Sequence, residues 1–361
     1  MKLAIDLAMN GIGKVNPNPL VGAVIVKNNE IIGSGFHEKY GELHAERKAL
    51  QNCKVSPRGG TMYVTLEPCC HYGKTPPCTE AIIQSGIKKV VIGCLDVNEK
   101  VAGKGVKLLQ DANIEVVTGL LEKECRELND IFFHYIQNRT PYVLMKYAMT
   151  MDGKIATTVG KSKWITNEKS REDVHRLRNQ YMAIMVGIGT ILADDSELTC
   201  RLSQGRNPIR IICDSHLKTP LNSKVVQSAH SIKTIIATLS TDKCLHKSYL
   251  EKGVEIIVTR SSEGVVDLKQ LMQLLGAKGI DSILLEGGSC LNFSAVDSQI
   301  INKVYCYISP KIFGGSTSKS PVMGRGFDDV NNKIKLDISK VLNFDDNILI
   351  ESRVSYVHGD N

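Results

Sequence analysis

His44-Ala45-Glu46, followed by Pro68-Cys69-Cys70-His71-Tyr72-Gly73-Lys74-Thr75-Pro76-Pro77-Cys78, decides how the first part of this chain is read. The two stretches supply one imidazole, cysteine thiols and a carboxylate two residues from the imidazole. Neutral histidine and thiolate suit zinc, and three protein ligands with a fourth position left to water describe a catalytic site. Such a zinc lowers the pKa of its water towards ~7. Glu46 stands beside the metal but not on it, as a proton-transfer group must. Two other readings use the same residues. Cys70 or His71 as a fourth ligand closes the site into a structural staple. Two stray cysteines and a surface histidine need no metal, although the prolines at 68 and 77 fix the loop around both thiols.

Working outward, strand and helix signals alternate. Residues 1–10 read as an amphipathic first helix. Leu20-Val21-Gly22-Ala23-Val24-Ile25-Val26 is an apolar run, and Asn28-Asn29 turns it into Ile31-Ile32-Gly33-Ser34-Gly35 as a hairpin. Helices are expected at 44–51, 78–85, 104–111 and 122–136, and strands at 61–66, 89–94 and 114–118. His44 and Glu46 thus open one helix and Cys78 opens another. The second helix start favours an anionic Cys78 thiolate.

Asn138-Arg139-Thr140-Pro141 breaks the pattern, which places a boundary between domains 1–141 and 142–361. Strands are expected in the second part at 142–146, 182–186, 209–213, 234–237, 254–258, 282–285 and 304–308, with helices between several of them, including 168–180 and 268–275. Both parts are therefore α/β. Val186-Gly187-Ile188-Gly189-Thr190 and Glu286-Gly287-Gly288-Ser289 each end a strand and open a helix, where backbone N–H groups can approach a phosphate. Glycine also serves plain turns, and no dinucleotide fingerprint follows either motif.

Composition excludes other classes. Hydrophobic content of 42% and charged content of 23% are those of a globular protein. No apolar run reaches the ~20 residues of a membrane span, and the N-terminus does not read as a signal peptide. The 11 cysteines, an odd number without a regular framework, point to a reducing cytoplasm. The net charge of +7 is spread singly and in doublets, and aromatics are only 5%, so no nucleic-acid footprint is expected. An anionic small substrate is compatible with it.

The His-x-Glu spacing is that of zinc nucleobase deaminases, but their short Cys-x-x-Cys loop would need a cysteine where Tyr72 stands. The longer loop, with Asn16-Pro17-Asn18-Pro19-Leu20-Val21-Gly22-Ala23-Val24, resembles the deaminase domain of the bifunctional riboflavin-biosynthesis deaminase–reductase family. Lys146-Tyr147-Ala148-Met149-Thr150-Met151-Asp152-Gly153-Lys154, Ser162-Lys163-Trp164-Ile165-Thr166, residues 187–195, Leu198-Thr199-Cys200-Arg201 and Glu286-Gly287-Gly288 are similar to its reductase half. The resemblance covers nearly the whole chain. Ser196 departs from it, standing where proline is frequent, and the N-terminus is a few residues short.

The resemblance implies a cytidine-deaminase-like α/β/α domain followed by a dihydrofolate-reductase-like α/β domain. It implies Zn2+ on His44, Cys69 and Cys78, Glu46 as proton shuttle, and a substrate pocket lined by Asn18, His71, Lys74, Asp96 and Asn98. For the second domain it implies NADPH at Ala148, Trp164, Thr190, Asp194 and Ser215 and along 288–294 (Gly288, Ser289, Asn292 and Ser294). Substrate contacts would be Ser162, Arg178, Leu198, Arg201 and Glu286. Guanidinium forks match phosphate oxygens, which makes Arg178 and Arg201 apt for that group. Lys146 and Glu286 are candidates for proton delivery. Trp164, the only tryptophan, reads without the resemblance equally well as core. The implied reactions are hydrolytic deamination of a phosphorylated diaminopyrimidinone, then reduction of its ribosyl group to ribityl. The family also implies a homo-oligomer. The competing reading is a nucleobase or tRNA deaminase whose C-terminal half is a non-catalytic module.

Overall fold

Residues 1–72, 76–328 and 334–356 are described by the computed structural model. It divides into two units, Met1–Arg139 and Thr140–Asn361.

In the first unit the chain runs α1 (Lys2–Met9), β1 (Gly22–Lys27), β2 (Glu30–Phe36), α2 (Ala45–Gln51), β3 (Thr61–Leu66), α3 (Cys78–Ser85), β4 (Lys89–Cys94), α4 (Lys104–Asp111), β5 (Glu115–Thr118), α5 (Glu122–Leu128) and α6 (Asp130–Asn138). Asn28 and Asn29 both take positive φ, 52° and 65°, the geometry that lets a two-residue turn follow the twist of a hairpin. The sheet order is β2-β1-β3-β4-β5. β1 is antiparallel to β2 and β3, whereas β3, β4 and β5 are parallel. Val64, Ile92, Ile25 and Met62 pack with Ala49, Ile82 and Leu109 from the helices, all at 0% exposure, so helices cover the sheet.

The single helix expected over 122–136 is two helices. Asn129, 2% exposed, breaks them at φ −117° and ψ 22°. Its Oδ1 accepts the Leu20 N–H at 2.8 Å and its Nδ2 donates to the Leu20 carbonyl at 2.9 Å. The break thereby holds the segment that carries Asn18 at the entry to β1.

The second unit contains β6 (Tyr142–Thr150), α7 (Glu168–Gln180), β7 (Ala183–Gly187), α8 (Ile188–Asp194), β8 (Ile209–Cys213), α9 (Lys224–Gln227), β9 (Thr234–Thr238), α10 (Lys243–Leu250) and β10 (Val254–Val258). A small hairpin of β11 (Ser261–Ser262) and β12 (Val265–Val266) follows. Then come α11 (Leu268–Ala277), β13 (Ser282–Leu285), α12 (Ser289–Asp297), β14 (Lys303–Ser309), β15 (Ile334–Phe344) and β16 (Asn347–Tyr356). The large sheet has the order β10-β9-β8-β7-β13-β6-β14-β16-β15, parallel as far as β14 and antiparallel from there. Apolar clusters on its two faces include Ile211, Ile283 and Leu271 on one and Ile184, Ile212 and Val225 on the other. Strands covered on both faces read as continuous apolar runs, which is why they were visible in the sequence.

The C-terminal hairpin of β15 and β16 was not anticipated. Ile334, Leu336 and Ile338 alternate with polar residues, but a register shift between Ile338 and Lys340 breaks the period. Most of β15 is exposed, so no apolar run marks it. Its turn matters to the site. The Asn347 Oδ1 accepts the Asn167 N–H at 2.9 Å, and the Asn167 Nδ2 donates to the Phe344 carbonyl at 2.6 Å. The hairpin thus clasps the segment just after Ser162 and Trp164. Among the described residues no helix is long and apolar enough to cross a membrane.

Asn129→Ala should cost about 1 kcal/mol, because it leaves two part-buried backbone groups of Leu20 without their partner. Denaturant unfolding followed in the first unit checks this; no loss of stability would mean that the helix break, not the side chain, secures Leu20.

Candidate active sites

The first site lies at the carboxyl end of β3, where an antiparallel neighbour lies on one side and a parallel one on the other. Chain leaving a sheet at such a point opens a crevice. His44 is the N-cap of α2, Glu46 lies in its first turn, Cys69 follows β3 closely and Cys78 is the first residue of α3. The ligand atoms of His44, Cys69 and Cys78 all lie within 4.8 Å of one another. Both sulfurs are 3.4 Å from the His44 Nδ1. One nitrogen and two sulfurs converging on one point, with a carboxylate beside them, form a donor set that fits zinc. Cys70 is no part of it, since its Sγ points to the Lys100 carbonyl at 3.5 Å.

Between the two sulfurs, hydrogen bonds from the Cys78 thiol, from His44 and from the Cys78 backbone N–H at 3.3 Å overcome burial and hold Cys69 down to about 4, while the bond to Cys69 and burial push Cys78 up. Zinc on both sulfurs would hold both as thiolates. The start of α3 donates its N–H to the other sulfur. Glu46 is 3% exposed, and burial, reinforced by Cys69, raises its carboxyl to about 7.

Asn18, His71, Asp96 and Asn98 line one cavity of about 260 Å³ together with His44, Glu46 and Cys69. Lys74 lies outside the described residues. The buried His71 Nδ1 has no partner among the described residues. Burial, opposed by the Asn98 N–H, raises Asp96 to about 6. Among the lining residues that the sequence does not announce are His37 and Glu67. His37 Nδ1 meets the Leu43 carbonyl at 3.1 Å and therefore carries the proton, so its Nε2 accepts from the Asn18 amide at 3.0 Å. A lone histidine just past the end of a strand carries no signal for this role.

The second site is at the carboxyl ends of β6, β7 and β13. The two glycine turns meet there: the Gly187 N–H donates to the Gly287 carbonyl at 2.9 Å. Each motif was weak alone, and the sheet order makes them one cradle. Lys146, Ala148, Ser162, Trp164, Arg178, Thr190, Asp194, Leu198, Arg201 and Glu286 line a cavity of about 1060 Å³ beside it. Trp164 is 59% exposed with the Arg171 guanidinium 4.7 Å above its ring, so the core reading is set aside. Gly288 adjoins Thr190, with Ser289, Asn292 and Ser294 following on α12. Asn292 is 2% exposed, and its Oδ1 has no partner among the described residues. Ser215 stands farther along the sheet edge, where its Oγ accepts the Val266 N–H at 3.3 Å. A glycine cradle and a helix start beside a large cavity fit a phosphate-bearing cofactor, and the orphaned Asn292 Oδ1, an acceptor, fits a donor group of it.

The fork of Arg178 is not open to a phosphate. Its Nε and Nη2 close on the two oxygens of Glu286 at 2.6 and 3.0 Å, and its Nη1 donates to the Thr199 carbonyl at 2.9 Å. Lys146 Nζ is 3.9 Å from the same carboxylate. Burial would raise the Glu286 carboxyl, but Arg178 and Lys146 outweigh it and hold it at about 2. Burial, offset by Glu286, lowers Lys146. His175 was also missed. Its Nδ1 accepts the Arg201 N–H at 3.3 Å, and burial with Arg178 and Arg201 lowers it to about 4, so it is neutral at pH 7. Arg201 has no ion-pair partner among the described residues and, with Arg171 and Lys224, is a lining cation open to a phosphate.

Residues 1–94 match the cytidine and deoxycytidylate deaminase zinc-binding region, and residues 141–350 match the RibD C-terminal domain. The chain is 52% identical over 351 residues to the riboflavin biosynthesis protein RibD of Actinobacillus pleuropneumoniae, covering 97% of this chain and 93% of that one. The chain belongs to the bifunctional riboflavin-biosynthesis deaminase–reductase family. A solved member from Thermotoga maritima, a diaminohydroxyphosphoribosylaminopyrimidine deaminase/5-amino-6-(5-phosphoribosylamino)uracil reductase, is 41% identical with a TM-score of 0.87 over 98% of this chain and 97% of its own. Acinetobacter baumannii RibD is 34% identical with a TM-score of 0.88, covering 98% and 97%. Zinc and NADPH are the family's cofactors, one for each half. A C-terminal half reduced to a non-catalytic module is not favoured, since that half matches the family's reductase domain.

The Glu286 ion pair predicts an acid-sensitive stability. The carboxyl lies near 4.5 when unfolded and about 2 when folded, so the unfolded chain binds more protons in between. The stabilisation is complete above about 4.5 and is lost as pH falls towards 2. Unfolding curves of Glu286→Gln should show a shallower loss than the parent across that window; equal slopes would refute the assignment.

Proposed function

We propose that the first site deaminates the phosphorylated diaminopyrimidinone named for the Thermotoga relative, and that the second reduces the ribosyl group of the deaminated product to ribityl. The observation that carries this reading is the presence of two complete reacting sets in one chain. One is the nitrogen–two-sulfur cluster beside Glu46. The other is Lys146 beside a glycine cradle.

In deamination, His44, Cys69 and Cys78 hold the metal. Zinc, when bound, supplies Lewis acidity that makes a water nucleophilic at neutral pH. Glu46, buried beside the metal position, takes a proton and returns it to a ring nitrogen and the leaving ammonia. Asn18, oriented by His37, presents its carbonyl oxygen to the pyrimidine, and His71, Asp96 and Asn98 face the same cavity. Lys74 is assigned to the phosphate by family likeness alone.

In reduction, NADPH, when bound, supplies the hydride that reaches C1′, most simply of the ring-opened sugar imine. The balancing proton comes from Lys146. Glu286 is held ionised by Arg178 and has no proton to give at neutral pH, so its role is to fix Lys146 and Arg178. Arg201 takes the substrate phosphate, and Ser162 and Leu198 line the same cavity. Ala148, Trp164, Thr190, Asp194, Ser215 and the segment 288–294 are the proposed cofactor contacts.

Placement in the cytoplasm is proposed from the eleven cysteines, an odd number without a regular framework. A homo-oligomer is proposed from β15, the outermost strand of its sheet. It leaves Leu336, Ile338, Val341 and Leu342 between 42% and 63% exposed.

Purified protein given the diaminopyrimidinone phosphate and NADPH should release ammonia and then lose NADPH absorbance. Glu46→Gln should keep its zinc and lose deamination by roughly 10²–10⁴-fold. Lys146→Met should release ammonia at the parent rate without oxidising NADPH. Ammonia release without NADPH loss in the parent would sink the reductase assignment. No ammonia from zinc-loaded, folded protein would sink the substrate.

A further inference from the structure

We propose that Glu67 is a positioning residue for deamination: it sets the spacing between the metal ligands and the Asp96–Asn98 side of the substrate pocket. The proposal deepens the deaminase reading above and rests on it.

Glu67 follows β3 and precedes Pro68-Cys69, so its backbone belongs to the metal loop. The side chain is 3% exposed, lines the pocket and reaches the segment that follows β4. Its Oε2 accepts the N–H groups of Asp96 at 3.3 Å and Gly103 at 3.0 Å, and its Oε1 accepts that of Val106 at 3.1 Å. These donors belong to the segment leaving β4 and to the first turn of α4. That helix has no side-chain cap of its own. A helix start presents unpaired N–H groups that something must satisfy. Here the cap comes from the residue two before a metal ligand.

The joint is tight as well as bonded. A Cβ at Gly105 would lie 2.3 Å from the Pro68 carbonyl oxygen and 3.1 Å from the Glu67 Oε1, so the first turn of α4 rests directly on the metal loop. From Asp96 the fixing continues. Its Oδ1 accepts the Asn98 N–H at 2.8 Å, and the Asn98 Oδ1 accepts the Lys100 N–H at 3.1 Å. Both pocket side chains are thus placed by a segment whose anchor is Glu67. All three contacts need an acceptor. A carboxylate is acceptor-only, and a carboxamide would turn an NH₂ group towards a backbone N–H.

The test is Glu67→Gln, isosteric with the native residue, assayed for zinc content, for kcat and for KM of ammonia release. The expected result is a KM raised about tenfold or more, with zinc retained and kcat within about threefold of the parent. Gly105→Ala keeps the carboxylate but forces the turn of α4 off Pro68, and it should raise KM in the same sense. A purely structural cap would lower the melting temperature and leave KM at the parent value, which overturns the proposal. Loss of zinc from Glu67→Gln also overturns it, because Glu67 would then serve the ligand loop alone. If the parent itself released no ammonia from this substrate, the substrate reading would fall and carry the proposal with it.

Discussion

Taking a carboxylate out of water costs several kcal/mol unless donors or cations replace the water. Three glutamates at the two sites face that constraint, and each meets it differently. Glu46 has too little compensation, so burial lifts its proton affinity to the neutral range. Glu67 is given three backbone N–H groups and becomes a joint. Glu286 is given a guanidinium fork and an ammonium, and stays ionised. One side-chain type thus yields a proton carrier, an anchor and a counter-charge. What differs is the set of partners that the sheet ends bring to it.

The division of labour also accounts for where the sites sit. Helix starts and strand ends are where backbone N–H groups and side chains converge without pairing partners of their own. In the first unit that convergence gathers two thiols and an imidazole. In the second it gathers two glycine turns, which bond to each other before any cofactor is considered.

How much of this could be read from the residues follows from how local each feature is. The metal set was legible because His44, Glu46, Cys69 and Cys78 lie in two short stretches with distinctive chemistry. The buried parallel strands were legible because both of their faces are apolar. The closure of Arg178 on Glu286 was not, since sheet register joins residues far apart in the chain. The Cys78 N–H that points at the Cys69 sulfur is likewise a matter of loop geometry, which spacing does not convey. Asn129, His37 and His175 each act through a contact to a remote segment, and nothing in their neighbours announces it. The β15–β16 hairpin hid behind its bulge and its polar face.

The place of β6 in its sheet governs the order in which the two units can form during synthesis. The first sheet has all its strands once residue 118 has emerged. β6 is the first strand of the second sheet to be made, yet its partners are β13 and β14, and the hairpin that clasps Asn167 comes later still. Long-range pairings of this kind are slow to close. The deaminase half can therefore be in place on the ribosome while the reductase strands still wait for neighbours, and the Asn167 side of the second pocket is the last to be fixed.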